Sequence, residues 1–286
     1  MVTLAARLEQ TLATVLGDDL ESVRGVSGGS ISTAYALRTR SGGTGFVKVC
    51  TDRPGLFAAE AHGLSWLGET DTLPCPAVLA VDPDGQWLLM DLVPTGLPGA
   101  ATWEALGRGL AALHRFGAGE PFGLDRDNFI GALPQVNHSC ESWVEFWRDR
   151  RLEPQLRTAW TTLPISVRSD VDRVLTRLAD IVGPEEKPSR LHGDLWSGNF
   201  VVDEEGEPWL VDPSVYVGHR EVDLAMMRLF GGFHSSCFDA YEEAFPLQTG
   251  AEHRVHLYQL YYLLVHVNLF GAGWIGGVQR ATEQLV

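Results

Sequence analysis

The sequence predicts an α+β chain of two lobes: an antiparallel sheet with one main helix, then a mostly helical part with an embedded hairpin. Three observations carry this. Residues 23–50, "VRGVSGGSISTAYALRTRSGGTGFVKVC", alternate short β-like runs with glycine punctuation, the pattern of antiparallel hairpins. From residue 102 onward, apolar residues recur at helical spacing over 102–116, about 141–160, 166–182, 222–230, 236–245 and 252–270. Between these regions lies "PTGLPGA" (94–100), too rich in proline and glycine for either element. The expected organisation is therefore a first lobe over 1–90, a hinge-like connector over 91–100 and a helical lobe over 101–286.

Within the first lobe, residues 3–16 read as an amphipathic helix ended by Gly17. Pro54 and Gly55 open a second helix running through Leu67, with Leu56, Glu60, Leu64 and Leu67 on one face. "CPAVLAVDPDGQWLLMDLV" gives two strands around an Asp-Pro-Asp-Gly turn. In the second lobe the helical pattern breaks over 191–212, where "FVV" and "PWLV" flank "DEEGE" as a short hairpin.

Composition narrows the function classes. With 37 acidic and 22 basic side chains the formal charge is −15, a surface that repels phosphate backbones and anionic lipid. Nucleic acid and membranes are poor partners on that ground, and a small neutral or cationic substrate is favoured. Cys50, Cys75, Cys140 and Cys237 show no CxxC pair and no zinc-like spacing, as expected of reduced thiols in a cytoplasmic protein. No stretch reads as a signal peptide or as a membrane span of about 18 apolar residues. Nothing in the sequence speaks to the oligomeric state.

"LHGDLWSGNF" (191–200) carries the chemistry. His192, Asp194 and Asn199 have the H-x-D-x-x-x-x-N spacing of a phosphotransferase catalytic loop. Phosphoryl transfer needs a carboxylate beside the acceptor hydroxyl to take its proton, and Asp194 is placed for that role. Asn199 offers an amide oxygen suited to Mg²⁺, and the hairpin that follows delivers a second oxygen ligand, Asp212. Asp203, Glu204 and Glu205 fall in the turn, where solvated acids are expected.

Such a site makes demands on the first lobe, and each has a candidate. Lys48 lies inside the apolar run "GFVKVC" and is the sole lysine before Lys187, so it is the cation available to hold ATP phosphates. Glu60, on the inward helix face, is the carboxylate that would orient it. "SGGS" supplies Gly28, Gly29 and Ser30 as a backbone cradle for phosphate. Met90, Asp91 and Leu92 stand where a connector would offer backbone groups to adenine. His192 and Asp223 read as supports of the loop backbone, and His114 as a hydrogen-bonded packing residue. In the aromatic run "HLYQLYYLLVHVNLF", His266 and Asn268 are candidate substrate contacts.

The segments "LHGDLWSGNF", "DPSVYVGHREVDLAMMRLFGGF", "NFIGALPQVN…SWVEFW…RLEPQL" and "LYYLLVHVNLFGAGW" resemble the fructosamine-3-kinase, or ketosamine-3-kinase, family over nearly the whole chain. That resemblance implies a protein-kinase-like fold with a five-stranded antiparallel sheet in its first lobe. It also implies MgATP-dependent phosphorylation of the O3 hydroxyl of a ketosamine; the phosphorylated adduct then decomposes and frees the amine, a deglycation. Carried over by position, Asp194 is the base, Asn199 and Asp212 hold Mg²⁺, Lys48 and Glu60 anchor phosphate, and residues 90–92 take adenine. Trp196, absent from simpler phosphotransferases, is expected to stack on the substrate. Two departures stand out. Ser30 occupies a loop position where some relatives carry cysteine, which argues against a loop-disulfide switch. Val265 replaces an amide near the end, which bears on sugar preference. The rival readings are a small-molecule phosphotransferase of the aminoglycoside or choline kinase type, and a nucleotide-binding regulator without turnover. The intact Lys48, Asp194 and Asp212 set speaks against the regulator.

Overall fold

A computed structural model describes residues 4–26 and 31–286. Helix α1 (Ala6–Leu16) ends on Gly17 in the left-handed region at φ 73°, and strands β1 (Leu20–Val26), β2 (Thr33–Thr39) and β3 (Thr44–Val49) follow as a meander. Helix α2 (Leu56–Gly68) then crosses to β4 (Val78–Val81) and β5 (Trp87–Met90). The five strands form one antiparallel sheet in the order β1-β2-β3-β5-β4.

The period-2 alternation of strands sorts these residues between two cores. Val47 of β3 with Trp87 and Leu89 of β5 face α1, where Leu12, Tyr35 and Leu37 complete a cluster. Leu88 and Met90 point to the other face, against Phe57, Ala61 and Leu64 of α2. Lys48 follows Val47 and so falls on the α2 side, opposite Leu88 in register. This alternation, more than any local signal, aims the lysine at Glu60.

Beyond β5 the connector is not free chain. Gly96 donates its N–H to Val202 O at 2.8 Å, and a Cβ there would lie 2.3 Å from Asp203 O. Helix α3 (Ala100–Leu113) begins the helical lobe, and the short strands β6 (Asn128–Ile130) and β7 (Leu133–Gln135) form a hairpin that the sequence reading missed. The region expected as one helix over 141–160 is three pieces: α4 (Trp143–Phe146), a π-helical turn (Trp147–Leu152) and α5 (Glu153–Ala159). Likewise 166–182 divides at Arg177 into α6 (Ile165–Thr176) and α7 (Leu178–Ile181).

Strands β8 (Ser189–Leu191) and β11 (Tyr216–Gly218) pair antiparallel, and the hairpin of β9 (Phe200–Val202) and β10 (Pro208–Leu210) lies between them in sequence. Runs of three residues are too short for periodicity to register, which is why β8 and β11 were not expected. Helices α8 (Glu221–Phe230), α9 (Ser235–Ala244) and α10 (Ala251–Phe270) follow; a 3₁₀ turn (Ala272–Trp274) leads into α11 (Ile275–Glu283), also unexpected. Tyr258, Tyr261 and Leu264 of α10 centre the largest core together with Trp147, Leu191 and Tyr216. No helix among the described residues is long and apolar enough to cross a membrane.

Asp203 corrects the expectation of a solvated turn acid. It is only 8% exposed, and its carboxylate accepts from the N–H of Glu205 and Glu207 and from Trp209 Nε1 at 3.1, 2.7 and 2.9 Å. Three donors inside five residues fold the turn around it, and so satisfy the charge locally.

Helix α3 packs on α9 through Gly107, where an added Cβ would fall 2.1 Å from Cys237 O. Gly107→Ala should therefore cost about 1–3 kcal/mol or more and lower Tm by at least roughly 2 °C. Gly68→Ala, with no atom within 4 Å of the added carbon, should leave Tm unchanged or slightly raised. Thermal unfolding of both variants checks this; equal losses would disprove the packing argument.

Candidate active site

The loop joining β8 to β9 is built around the buried carboxylate of Asp223, a residue of the first turn of α8. Its two oxygens accept the N–H groups of His192 and Gly193, each at 2.8 Å, and His114 Nε2 lies 3.2 Å away. His114 Nδ1 in turn meets Tyr241 Oη at 2.8 Å. Both supporting roles expected from sequence, His192 and Asp223, hold geometrically, and His114 packs as expected while also touching the carboxylate that grips the loop. Asp223 sits within the first turn of a helix that begins two residues earlier, rather than at its start.

His192 is fully buried and burial depresses its pKa, so it is a neutral ring. Its Nδ1 accepts from Asp194 N–H at 3.2 Å, which leaves Nε2–H to donate to Val211 O at 2.9 Å. Gly193 has φ 81°, and a side chain there would meet Ser214 O at 2.1 Å; no other residue fits. Tyr262 Oη donates to Gly193 O at 2.7 Å, so α10 also holds the loop.

These constraints bring the predicted groups together. Asn199 Nδ2 donates to Asp194 O and Oδ2 at 2.9 and 3.1 Å, and lies 3.3 Å from Asp212 O. Its amide nitrogen is thereby committed, which leaves Oδ1 as its remaining oxygen donor. Asp212 adopts a left-handed conformation at φ 55°, and its carboxylate contacts Lys48 Nζ. Lys48 also pairs with Glu60 at 2.6 Å, both side chains being close to nine-tenths buried. The sheet, α2 and the second lobe thus meet at one ammonium group.

The electrostatics follow from burial. Burial works against the charge of Lys48, but Glu60 and Asp212 outweigh it and hold its pKa above the ordinary value. Glu60 is pushed up to about 7 by burial, with Lys48 opposing and the Asp212 charge reinforcing the shift. Asp194 is raised well above the usual carboxylate range, by burial first and then by Asp212. Three carboxyl groups against one ammonium, all lining a single cavity, leave a negative excess. A divalent cation fits that donor set, and the hard oxygens of Asp212 and Asn199 are the ones suited to Mg²⁺.

The cavity has a volume of about 660 Å³. Lys48, Glu60, Asp194, Asn199 and Asp212 form its polar side. The same lining holds an aromatic wall of adjoining rings, Trp196, Phe230, His266, Phe270 and Trp274, and also Val265. Trp196 is 39% exposed, and its ring meets Phe230 edge-on at 6.2 Å. It lies over Gly198, where a Cβ would fall 2.1 Å from the indole. His266 packs at a tilt against Trp274, with ring centroids 4.4 Å apart, and donates from Nδ1 to Tyr262 O at 2.7 Å.

Among the expected contacts, Asn268 comes out differently. Asn268 does not line the cavity: its Nδ2 is spent on Gln155 O and Oε1 at 3.0 and 2.8 Å, so it ties α10 to α5. Residues 90–92 also lie outside the cavity, with Met90 in the sheet core and Asp91 N–H bonded to Ala77 O at 2.9 Å. Gly28, Gly29 and Ser30 lie outside the described residues; Ile31 and Ser32, which follow them, line the cavity. Phe230, Phe270 and Trp274 were missed, because isolated aromatics on helices read as core.

The fold and this constellation define a phosphotransferase of the protein-kinase-like class, acting on a hydroxyl group. The chain belongs to the fructosamine kinase family, whose model matches residues 4–286. It is 38% identical over 262 residues to a protein assigned as a ketoamine kinase in Enterococcus faecium, covering 90% of this chain and 93% of that one. It is 36% identical over 265 residues to the chloroplastic protein-ribulosamine 3-kinase of Arabidopsis thaliana, 89% of this chain and 79% of the relative. A crystal structure assigned as a fructosamine-3-kinase from Thermobifida fusca superposes with a TM-score of 0.90 at 35% identity, covering 99% of both chains. An aminoglycoside phosphotransferase in complex with ADP and hygromycin B shares the fold, at a TM-score of 0.68 and 17% identity over 98% and 99% of the two chains.

The raised pKa of Asp194 carries a sign. A carboxylate base works only when deprotonated, so activity falls as pH drops through its raised pKa. The acid limb of kcat/KM should lie well above the range of an ordinary carboxylate. Asp194→Asn should lower kcat by about two to four decades and abolish that limb. A pH–rate profile of both proteins checks this, and a limb unchanged in the variant would exclude Asp194 as the base.

Proposed function

We propose that this protein transfers the γ-phosphoryl group of ATP to the O3 hydroxyl of ketosamines, adducts of a sugar with an amine. The observation that carries the reading is the joining of Lys48, Glu60, Asp194, Asn199 and Asp212 to an aromatic wall in one cavity. The polar side supplies the parts that phosphoryl transfer requires. The aromatic side suits the apolar face of a sugar ring and the cationic amine attached to it.

In this reading Asp194 accepts the proton of the acceptor hydroxyl, its pKa raised by burial and by the Asp212 charge, which strengthens it as a base. Lys48, kept charged by Glu60, holds phosphate oxygens, while Asn199 and Asp212 hold Mg²⁺, whose charge offsets that of the phosphates. Trp196 and His266 pack against the sugar or its amine. The segments 27–30 and 90–92 would receive phosphate and adenine, and the connector 91–100 would let the lobes 1–90 and 101–286 adjust about the nucleotide, with Gly96 as its fixed end. The 3-phosphate destabilises the adduct, so the outcome is deglycation of a small amine or of a protein side chain. Four cysteines, all unpaired, fit a reducing cytoplasm as the setting of this activity.

ADP release from MgATP, measured with ribulosyl-lysine, fructosyl-lysine and an aminoglycoside against an Asp194→Asn blank, tests the proposal. Turnover on a ketosamine supports it; turnover on the aminoglycoside alone overturns the substrate assignment. Asp212→Ala should abolish Mg²⁺-nucleotide binding or raise the Mg²⁺ requirement at least tenfold. An unchanged Mg²⁺ titration would remove Asp212 from the metal site.

A further inference from the structure

The segments "NFIGALPQVN" and "RLEPQL" contribute little to the chemistry described so far, yet they bury an unusual set of polar groups. Asn128, Gln135 and Asn137 are 6, 2 and 0% exposed, and Arg151 is fully buried with no ion pair among the described residues. Asn128 and Gln135 reach the stretch that follows Asp212, and Asn137 and Arg151 stand behind Asn128. Residues 213–215 belong to no strand, so their carbonyl groups need donors from elsewhere. Asn128 Nδ2 donates to Val215 O at 2.8 Å, and Gln135 Nε2 lies 3.2 Å from Ser214 O.

The bonds behind these two amides have a fixed direction. Arg151 can only donate, and its Nη2 meets Asn137 Oδ1 at 2.7 Å. That forces Asn137 Nδ2 to face Asn128 Oδ1, at 2.8 Å. Asn128 is then left to present Nδ2 to Val215 O. Gln135 Nε2 also donates to Asn128 Oδ1 at 2.9 Å, and Tyr261 Oη donates to Gln135 Oε1 at 2.7 Å. Every amide orientation in the cluster is thus set from its far end. Arg151 offsets its buried charge against the rings of Tyr216 and Phe146, 3.9 and 4.5 Å away, and against Val136 O. It lies in the π-helical turn 147–152, a local irregularity often found at functional positions. On the opposite side, α2 presents Gly63 to the same stretch, where a Cβ would meet Pro213 at 3.0 Å.

We propose that Arg151, Asn137, Asn128 and Gln135 are positioning residues: a donor-oriented chain of amides that fixes the turn after Asp212 and thereby sets where its carboxylate stands. The inference rests on the reading of Asp212 as a Mg²⁺ ligand. The chain acts through backbone carbonyl groups, so its loss changes metal affinity and not the proton-accepting group.

Asn128→Asp keeps the acceptor oxygen and replaces the donor facing Val215 O with a second oxygen. Mn²⁺ binding, followed by electron paramagnetic resonance with a non-hydrolysable ATP analogue, should weaken at least tenfold in this variant. The Mg²⁺ concentration for half-maximal turnover should rise in parallel, with the ketosamine KM within about twofold of wild type. Gln135→Met, which removes the bonds to Ser214 and Asn128 and leaves Tyr261 Oη without its acceptor, should shift both in the same direction and serves if Asn128→Asp does not fold. A lowered Tm with unchanged metal affinity would mean a structural role alone and overturn the proposal. So would a raised ketosamine KM with unchanged metal affinity, which would make Asn128 a substrate contact. Wild-type protein that binds no metal–nucleotide would instead overturn the Asp212 reading, and this inference with it.

Discussion

The ammonium of Lys48, held between Glu60 and Asp212, is the contact on which the two lobes depend. It joins a strand of the sheet, the helix packed on that sheet and the turn after β10. A buried lysine with one carboxylate would be a neutral pair, and a self-sufficient one. With two carboxylates it is over-compensated, and Asp194 in the same cavity adds to the excess. The arrangement is therefore incomplete in the absence of further positive charge, which is the condition a metal–nucleotide site has to meet. The Asp212 charge adds to burial in raising the pKa of Asp194.

Around this charged centre the supports are of two kinds. The catalytic loop is held by hydrogen bonds: two of its backbone N–H groups donate to the Asp223 carboxylate, His192 bridges Asp194 N–H and Val211 O, and Tyr262 donates to Gly193 O. Farther away, Arg220 forks onto Glu186 and Arg254 onto Glu221, binding the start of α8 to its neighbours. Desolvation offsets much of the attraction in such buried pairs, so they act mainly by fixing orientation. His219, Glu186 and Glu221 lie close enough together to resemble a metal cluster, but the two arginines already occupy both carboxylates.

Much of the polar site was legible because its spacing is short-range in sequence. His192, Asp194, Asn199 and Asp212 belong to one loop and hairpin, and Lys48 and Glu60 to a strand and the helix that follows it. Strand alternation then dictated the face on which Lys48 appears. The aromatic wall was less legible, since Phe230, Phe270 and Trp274 come from separate helices and nothing local separates a cavity-facing ring from a core ring. Asn268 misled for the converse reason: an amide beside a cavity-lining histidine reads as a contact, yet a two-residue step along a helix turns it to Gln155. Asp203 misled because a carboxylate in a hairpin turn can fold the turn around itself instead of facing water.

The use of neutral amides beside the turn after Asp212 has an electrostatic reason. Any carboxylate placed beside the turn after Asp212 would compete for the same cation and raise Asp194 further. Amides hold backbone carbonyls without adding charge, and the one ion among them, Arg151, is positive. Among the described residues its guanidinium has no carboxylate to neutralise it, and its rings and carbonyl partners only disperse its charge. It therefore stays net positive, behind a region that carries three carboxyl groups to one ammonium. Orientation and charge balance are served by the same residue, which explains why a donor that can never accept stands at the head of the chain.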